Sequence, residues 1–206
     1  SRIEMAIEAA SENIAVKKDI FKKLDENAPE RAILASNTSY QNISEIASST
    51  RRSDRIIGLH FFNPVSVMKL IEVVRGACTS SDTIGIALGL AAKLGKEPVV
   101  CKDTSYGFLA NRAYTAMAHE AIQMVWEKAG SPAEIDKAVK LGYNFPMGPL
   151  EVMDYVGYWH LVASSEQDAM RELGPEKGKL HPLIRMMTRA SYNSIYKFWD
   201  DVLSKW

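Results

Sequence analysis

An α/β half followed by an all-α half is the fold this sequence predicts, and three observations carry that reading. Short apolar stretches rich in β-branched residues alternate with helix-period segments as far as Asp103. Beyond Asp103 the strand signals stop and only helical patterns follow. The 206 residues, 47% hydrophobic and 24% charged, suffice for two cores of ordinary composition. The domains so delimited are residues 1–103 and 104–206.

From the amino end, "EMAIEAA" (4–10) reads as a short strand. "NIAVKKDIFKKLDENA" (13–28) sets Ile14, Ile20, Phe21 and Leu24 at helical spacing with its lysines on the outer face, and Pro29 stops it. "AILAS" (32–36) is a buried strand, "NTS" a turn and candidate cap, and "YQNISEIA" (40–47) a short helix. "RIIGLHF" (55–61) and "KLIEVVR" (69–75) are strands on either side of the Asn63-Pro64 break, an antiparallel hairpin element in a sheet whose other pairings are parallel. "SDTIGIALGLAAKLG" (81–95) is a capped helix ending at Gly95, and "EPVVCKD" (97–103) is the last strand. Helices are then expected over 106–130, 131–142, 148–173 and 181–190, the second announced by Ser131, Pro132 and Glu134.

Several function classes are disfavoured. Net charge is +0 with no basic stripe, which argues against nucleic acid. No apolar run approaches the roughly 18 to 20 residues of a membrane span, and Glu4 and Glu8 interrupt any signal-peptide core. Cys78 and Cys101 form no C-x-x-C pattern and are expected as free thiols of a cytoplasmic protein. His60, His119, His160 and His181 lack zinc-ligand spacing, so no metal is expected.

"GLHFFNPVSVMKLIEVV" (58–74) keeps one histidine and one acid, His60 and Glu72, in a largely apolar stretch. Either both are core residues with satisfied hydrogen bonds, or they form a proton-handling pair. Adjacent strands bring such positions together, and an unpartnered Glu among Ile71, Val73 and Val74 would be costly. A carboxylate accepting from one imidazole nitrogen fixes the tautomer and leaves the other nitrogen for proton exchange. Ser39, in "SNTS" after a strand, either caps a helix or points its hydroxyl at a ligand. Asn111 in "GFLANR" reads on spacing alone as solvated or capping, and its neighbour Arg112 as a surface charge or an interhelix pair. Glu12 and Lys17 read as surface residues that follow a strand end, where ligands of open α/β sheets bind. "PMGPLEVMDYVG" (146–157) and the aromatics Trp126, Tyr155, Tyr158 and Trp159 read as core or subunit interface.

"SNTS", "GLHFFNPVSVMKLIEV", "KD…GFLANR" and "PMGPLEVMDYVG", in this order and at these intervals, resemble the L-3-hydroxyacyl-CoA dehydrogenase family over about residues 4–190. The His-Phe-Phe-Asn-Pro motif followed by Glu72 is the specific element. The resemblance implies NAD-dependent oxidation of a 3-hydroxyacyl-CoA to the 3-ketoacyl-CoA in β-oxidation or a related acyl-CoA pathway. It implies His60 as catalytic base, Glu72 as its paired acid, and Ser39 and Asn111 as substrate contacts. Glu12, Lys17, Ser39 and Asn63 match cofactor-contacting positions. The helical domain is expected to close over the acyl-CoA site and to make a homodimer, and the family's fusions imply an enoyl-CoA hydratase domain as a candidate neighbour in the parent chain.

Two departures shape these expectations. This chain has "DTSYGF" where the family has Asp-Thr-Pro-Gly-Phe, which loosens the expected interdomain hinge. A dinucleotide domain opens on G-x-G-x-x-G, yet the only glycines before residue 85 are Gly58 and Gly76. The α/β part is therefore expected to be the second half of a Rossmann-type sheet, lacking the N-terminal half of the NAD-binding domain. Poor NAD binding follows, with an inactive dimerising or acyl-CoA-binding module as the alternative function.

Overall fold

The computed structural model describes residues 3–104, 106–159 and 166–205. The chain divides into two compact units, Ser1–Arg112 and Ala113–Trp206, later than the change of pattern at Asp103.

The first unit is a five-stranded mixed sheet in the order β1-β2-β3-β4-β5: Met5–Glu8, Ile33–Ser36, Ile56–Phe61, Leu70–Arg75 and Glu97–Lys102. β1, β2 and β3 are parallel, β3 and β4 antiparallel, and β4 and β5 parallel. The expected hairpin within a parallel frame is therefore present. Helices α1 (Ile14–Asn27), α2 (Ile43–Ala47) and α3 (Ser81–Lys93) complete the unit. Alternate strand residues separate into two buried clusters. Leu34, Ile56 and Val74 pack with Phe21 of α1 and with Ile43 and Ile46 of α2. Ile33, Ala35, Ile57, Leu59, Ile71 and Val73 pack with Ala87 and Ala91 of α3. A sheet covered on both faces explains why its strands read as nearly unbroken apolar runs.

Gly58 lies where β3, β4 and α2 crowd together. A Cβ there would meet Val74 Cβ at 2.8 Å and Ile43 Cδ1 at 3.0 Å. Asn42 caps α2, its Oδ1 accepting from the Glu45 amide at 2.8 Å, so the cap does not fall on "NTS". Helix α1 departs from expectation in another way. Lys22 and Lys23 are exposed, but Lys17 is buried on the inner face, in step with Phe21 and Asp25.

The second unit is helical: α4 (Ala110–Trp126, beginning in the last residues of the first unit), α5 (Pro132–Tyr143), α6 (Pro149–Tyr155), α7 (Glu166–Leu173), α8 (Pro182–Arg189) and α9 (Ile195–Asp201). Its core includes Ile122, Leu150, Met153, Trp159, Leu183 and Phe198. Ser131 and Glu134 form the expected capping box on α5. The continuous helix expected over 148–173 is not formed, because α6 ends at Tyr155 and Gly157 follows with φ +65°. Residues 160–165 of that segment, His160 included, lie outside the described residues. Tyr158 and Trp159 are core, whereas Trp126 and Tyr155 are 38% and 71% exposed. Helix α4 starts at Ala110, four residues later than expected, after Gly107 and Phe108 take φ of 80° and 51°.

Candidate active site

His60 and Glu72 are direct partners in the antiparallel register of β3 and β4. Their side chains leave the sheet on the face shared with Val74, and His60 Nδ1 lies 2.8 Å from Glu72 Oε2. The histidine is 3% exposed and the glutamate 1%. The His60 ring rests on Phe62 at 4.4 Å and against the edge of Phe108 at 5.8 Å between centroids. Among the described residues nothing hydrogen-bonds Nε2, while every enclosed side-chain nitrogen and oxygen has a partner. Nε2 is therefore the ring atom left at the accessible surface. With Nδ1–H donating to Glu72, it carries a lone pair, as a proton acceptor requires.

The other Glu72 oxygen, Oε1, accepts from the amides of Leu109 at 3.1 Å and Ala110 at 2.9 Å. Those N–H groups open helix α4, and the left-handed Gly107-Phe108 pair turns them toward the carboxylate. A Cβ on Gly107 would also press on the Arg112 amide at 3.1 Å. Burial alone would raise the Glu72 pKa. The His60 hydrogen bond, the Ala110 amide, the His60 charge and the Leu109 amide outweigh it and hold the group below the usual carboxylate range. One acid thus fixes the histidine and the helix start that carries Asn111, whose side chain has no hydrogen-bond partner among the described residues.

Ser39 belongs to a loop at the carboxyl end of β2. Asn37 Oδ1 accepts the Phe61 amide at 2.9 Å, tying that loop to the residue after His60. The Glu12 carboxylate accepts from the Thr38 hydroxyl and from the amides of Ser39, Tyr40 and Gln41 at 3.3–3.4 Å. The Ser39 hydroxyl itself has no partner among the described residues. Asn63 is exposed, in the connection beyond His60. Lys17 stands apart: 1% exposed, it bonds both oxygens of Glu8 at 2.9 and 3.1 Å. The structure thus brings His60, Glu72, the loop of Ser39 and the turn of Asn111 into one bonded network, and directs Lys17 elsewhere.

Spacing alone did not mark Glu8 or the Leu109 and Ala110 amides. An acid closing an apolar strand, with a lysine in the apolar stripe of the next helix, is the signal that could have found Glu8. Backbone donors leave no such trace. In the helical unit a cavity of about 760 Å³ is lined by His119, Gln123, Lys179, His181 and Arg185 among others, none of them a residue of the network above.

Residues 1–104 match the family described as 3-hydroxyacyl-CoA dehydrogenase, NAD binding domain, and residues 107–195 match the C-terminal domain of the same enzymes. The chain belongs to the 3-hydroxyacyl-CoA dehydrogenase family. A 3-hydroxybutyryl-CoA dehydrogenase of Clostridioides difficile is 44% identical over 92% of this chain and 66% of its own length. Human mitochondrial hydroxyacyl-coenzyme A dehydrogenase is 43% identical over 88% and 59% respectively. The crystal structure of (S)-3-hydroxybutyryl-CoA dehydrogenase from Ralstonia eutropha superposes with a TM-score of 0.87 at 39% identity, covering 94% of this chain and 70% of that one. The chain thus spans between 59% and 66% of the length of the curated relatives named here. The match to the dehydrogenases' NAD-binding domain begins at residue 1, so it does not support the expectation that the N-terminal half of that domain is lacking.

NAD is the cofactor this match indicates. The uncommitted Ser39 hydroxyl and the exposed Asn63 amide, at the carboxyl ends of parallel strands, suit a polar ligand of that kind. Glu12 fits indirectly, as the brace of the Ser39 loop. The Lys17 ammonium is paired with Glu8 and enclosed.

Proposed function

We propose that this chain carries the proton-handling machinery of an NAD-dependent L-3-hydroxyacyl-CoA dehydrogenase of 3-hydroxybutyryl-CoA type. The observation that supports the reading best is the 2.8 Å His60–Glu72 contact, which leaves Nε2 free at the sheet face. NAD, when bound, accepts the hydride that leaves C3. His60 Nε2 takes the C3 hydroxyl proton as the carbonyl forms, and the Glu72 carboxylate stabilises the imidazolium through Nδ1–H. Ser39 and Asn111 hold the reacting end of the substrate with their free polar groups. Ser39 and Asn63 contact the cofactor. In the reverse direction His60 returns the proton to the ketone oxygen.

The acyl-CoA substrate, a cytoplasmic location, a parent chain with a hydratase domain and a homodimer through the helical unit belong to the same proposal. For the dimer, the large side chains of Leu141, Tyr143 and Tyr155 are 77%, 75% and 71% exposed, and a subunit contact over them would remove apolar surface from water. No helix among the described residues is long and apolar enough to cross a membrane. The test is consumption of NADH with acetoacetyl-CoA, using His60→Gln as control. Loss that depends on His60 supports the dehydrogenase. A flat trace from folded protein supports a dimerising or acyl-CoA-binding module, and oxidation of a free hydroxy acid instead of the thioester marks a different substrate class.

A further inference from the structure

Building on that reading, we propose that Glu8, acting through Ser36, is a positioning residue for the segment that presents Ser39, with Lys17 as its buried counter-ion. Glu8 closes β1 and Ser36 closes β2, and the two are paired in register. Their side chains are enclosed, at 6% and 0% exposure, with Lys17 at 1%. The Ser36 hydroxyl donates to Glu8 Oε2 at 2.6 Å, and the Ala10 amide donates to Oε1 at 2.5 Å. With its O–H donating to Glu8, Ser36 Oγ keeps its lone pairs free and accepts the Thr38 amide at 3.3 Å. Ser39 is the next residue. Its own amide, with those of Tyr40 and Gln41, points to Glu12. The segment 36–41 is thus suspended from two carboxylates of the β1–α1 connection.

A brace that only filled space between β1, β2 and α1 could be apolar, since burying an ion pair carries a desolvation cost that apolar packing avoids. What the ionised pair adds is acceptor capacity in a fixed place. The carboxylate takes Lys17, Ser36 and Ala10 together, and so sets the orientation of a hydroxyl that reaches the active-site loop.

The test uses Ser36→Ala, which deletes only the hydroxyl, and the double variant Glu8→Gln/Lys17→Met, which removes both charges together. Three quantities are read: thermal midpoint, amide hydrogen exchange at Thr38–Gln41, and kcat and KM with acetoacetyl-CoA and NADH. Positioning predicts a folded Ser36→Ala protein whose Thr38 amide exchanges at least about 10-fold faster, with kcat down about 10- to 100-fold. The double variant should show the same loop exchange and the same kcat loss. Wild-type exchange and kcat in both variants would overturn the proposal. So would a double variant that keeps wild-type loop exchange and kcat and changes only the KM for NADH, which would mark a ligand contact. If the wild-type chain consumes no NADH, the dehydrogenase reading fails, while the exchange measurement still decides whether Glu8 and Ser36 hold the loop.

Discussion

A carboxylate offers two oxygens and about four acceptor sites, and Glu72 uses both oxygens at once, one for His60 and one for the amides of Leu109 and Ala110. Gln at this position supplies a single oxygen. If that oxygen faces the helix, the amide NH₂ points at His60 Nδ1 and drives the ring proton to Nε2, which then cannot accept one. If it faces His60, the NH₂ meets two backbone donors and the first turn of α4 loosens. Glu72→Gln is therefore expected to fold yet lose about 10²- to 10⁴-fold in kcat, a range set by general-base and tautomer effects. Steady-state kinetics beside a circular dichroism spectrum checks both halves. A second expectation concerns thiols. Burial, then the charges of Glu72 and Asp103, push Cys101 up to about 11, whereas Cys78 is exposed. Iodoacetamide near pH 8 should alkylate Cys78 and spare Cys101 in the folded protein, as peptide mass analysis would show. At this scale the sequence was informative where chemistry needs a distinctive side chain. His60 and Glu72 were legible because a charge among Ile71, Val73 and Val74 demands a partner. Lys17 was not, because helical periodicity assigns a lysine to water unless its buried acid is already known.

Among the elements, the β3–β4 hairpin carries the site, and its register depends on close approach at Gly58. Ala there must displace Val74 or Ile43, so Gly58→Ala is expected to lower stability by about 1–3 kcal/mol, measured as a drop in urea midpoint. Helix α8 responds to pH. His181 Nδ1 accepts the Leu183 amide at 3.1 Å and its Nε2 lies 2.9 Å from Gln123 Oε1, an arrangement that needs the neutral ring. Burial, then the charge of His119, lowers its pKa. A base with a lowered folded pKa contributes stability that is fully present above its unfolded value, about 6.5, and is lost as pH falls through the folded one. The carboxylates act in a lower window. In Glu8 burial opposes the shift but Ser36, Lys17 and Ala10 prevail, and in Asp25 Arg52 and Arg51 do the same against burial. Their contributions, with that of Glu72, stand above the ordinary carboxylate value of about 4 and disappear as pH falls through the depressed values. Burial lowers the pKa of His119 as well, so stability profiles should decline in two stages, the first reduced but not removed by His181→Asn, which can still cap α8. The strands and most helices were readable from apolar runs and caps. Helix α9 lies beyond the last expected helix, although Ser194 caps it, because 7 residues are too few for a helical period to stand out. The break after Tyr155 was missed although Gly157 marks it, because the apolar spacing continues through the glycine.

For the molecule as a whole, the division into an α/β unit and a helical unit followed from where strand signals end, while the extent of each core and the backbone donors at Leu109 and Ala110 required coordinates. Assembly is the next question at this scale. If Leu141, Tyr143 and Tyr155 form a subunit contact, Leu141→Glu should shift the protein from dimer to monomer in sedimentation equilibrium without changing its circular dichroism spectrum. The central claim is that His60, aligned by Glu72, exchanges the proton of a hydroxyacyl thioester during NAD-dependent oxidation. It is tested most directly by following NADH formation from L-3-hydroxybutyryl-CoA and NAD with the wild-type chain and with His60→Gln. The expected result is thioester-dependent turnover that falls at least about 100-fold in the variant. Equal rates in the two proteins would contradict it.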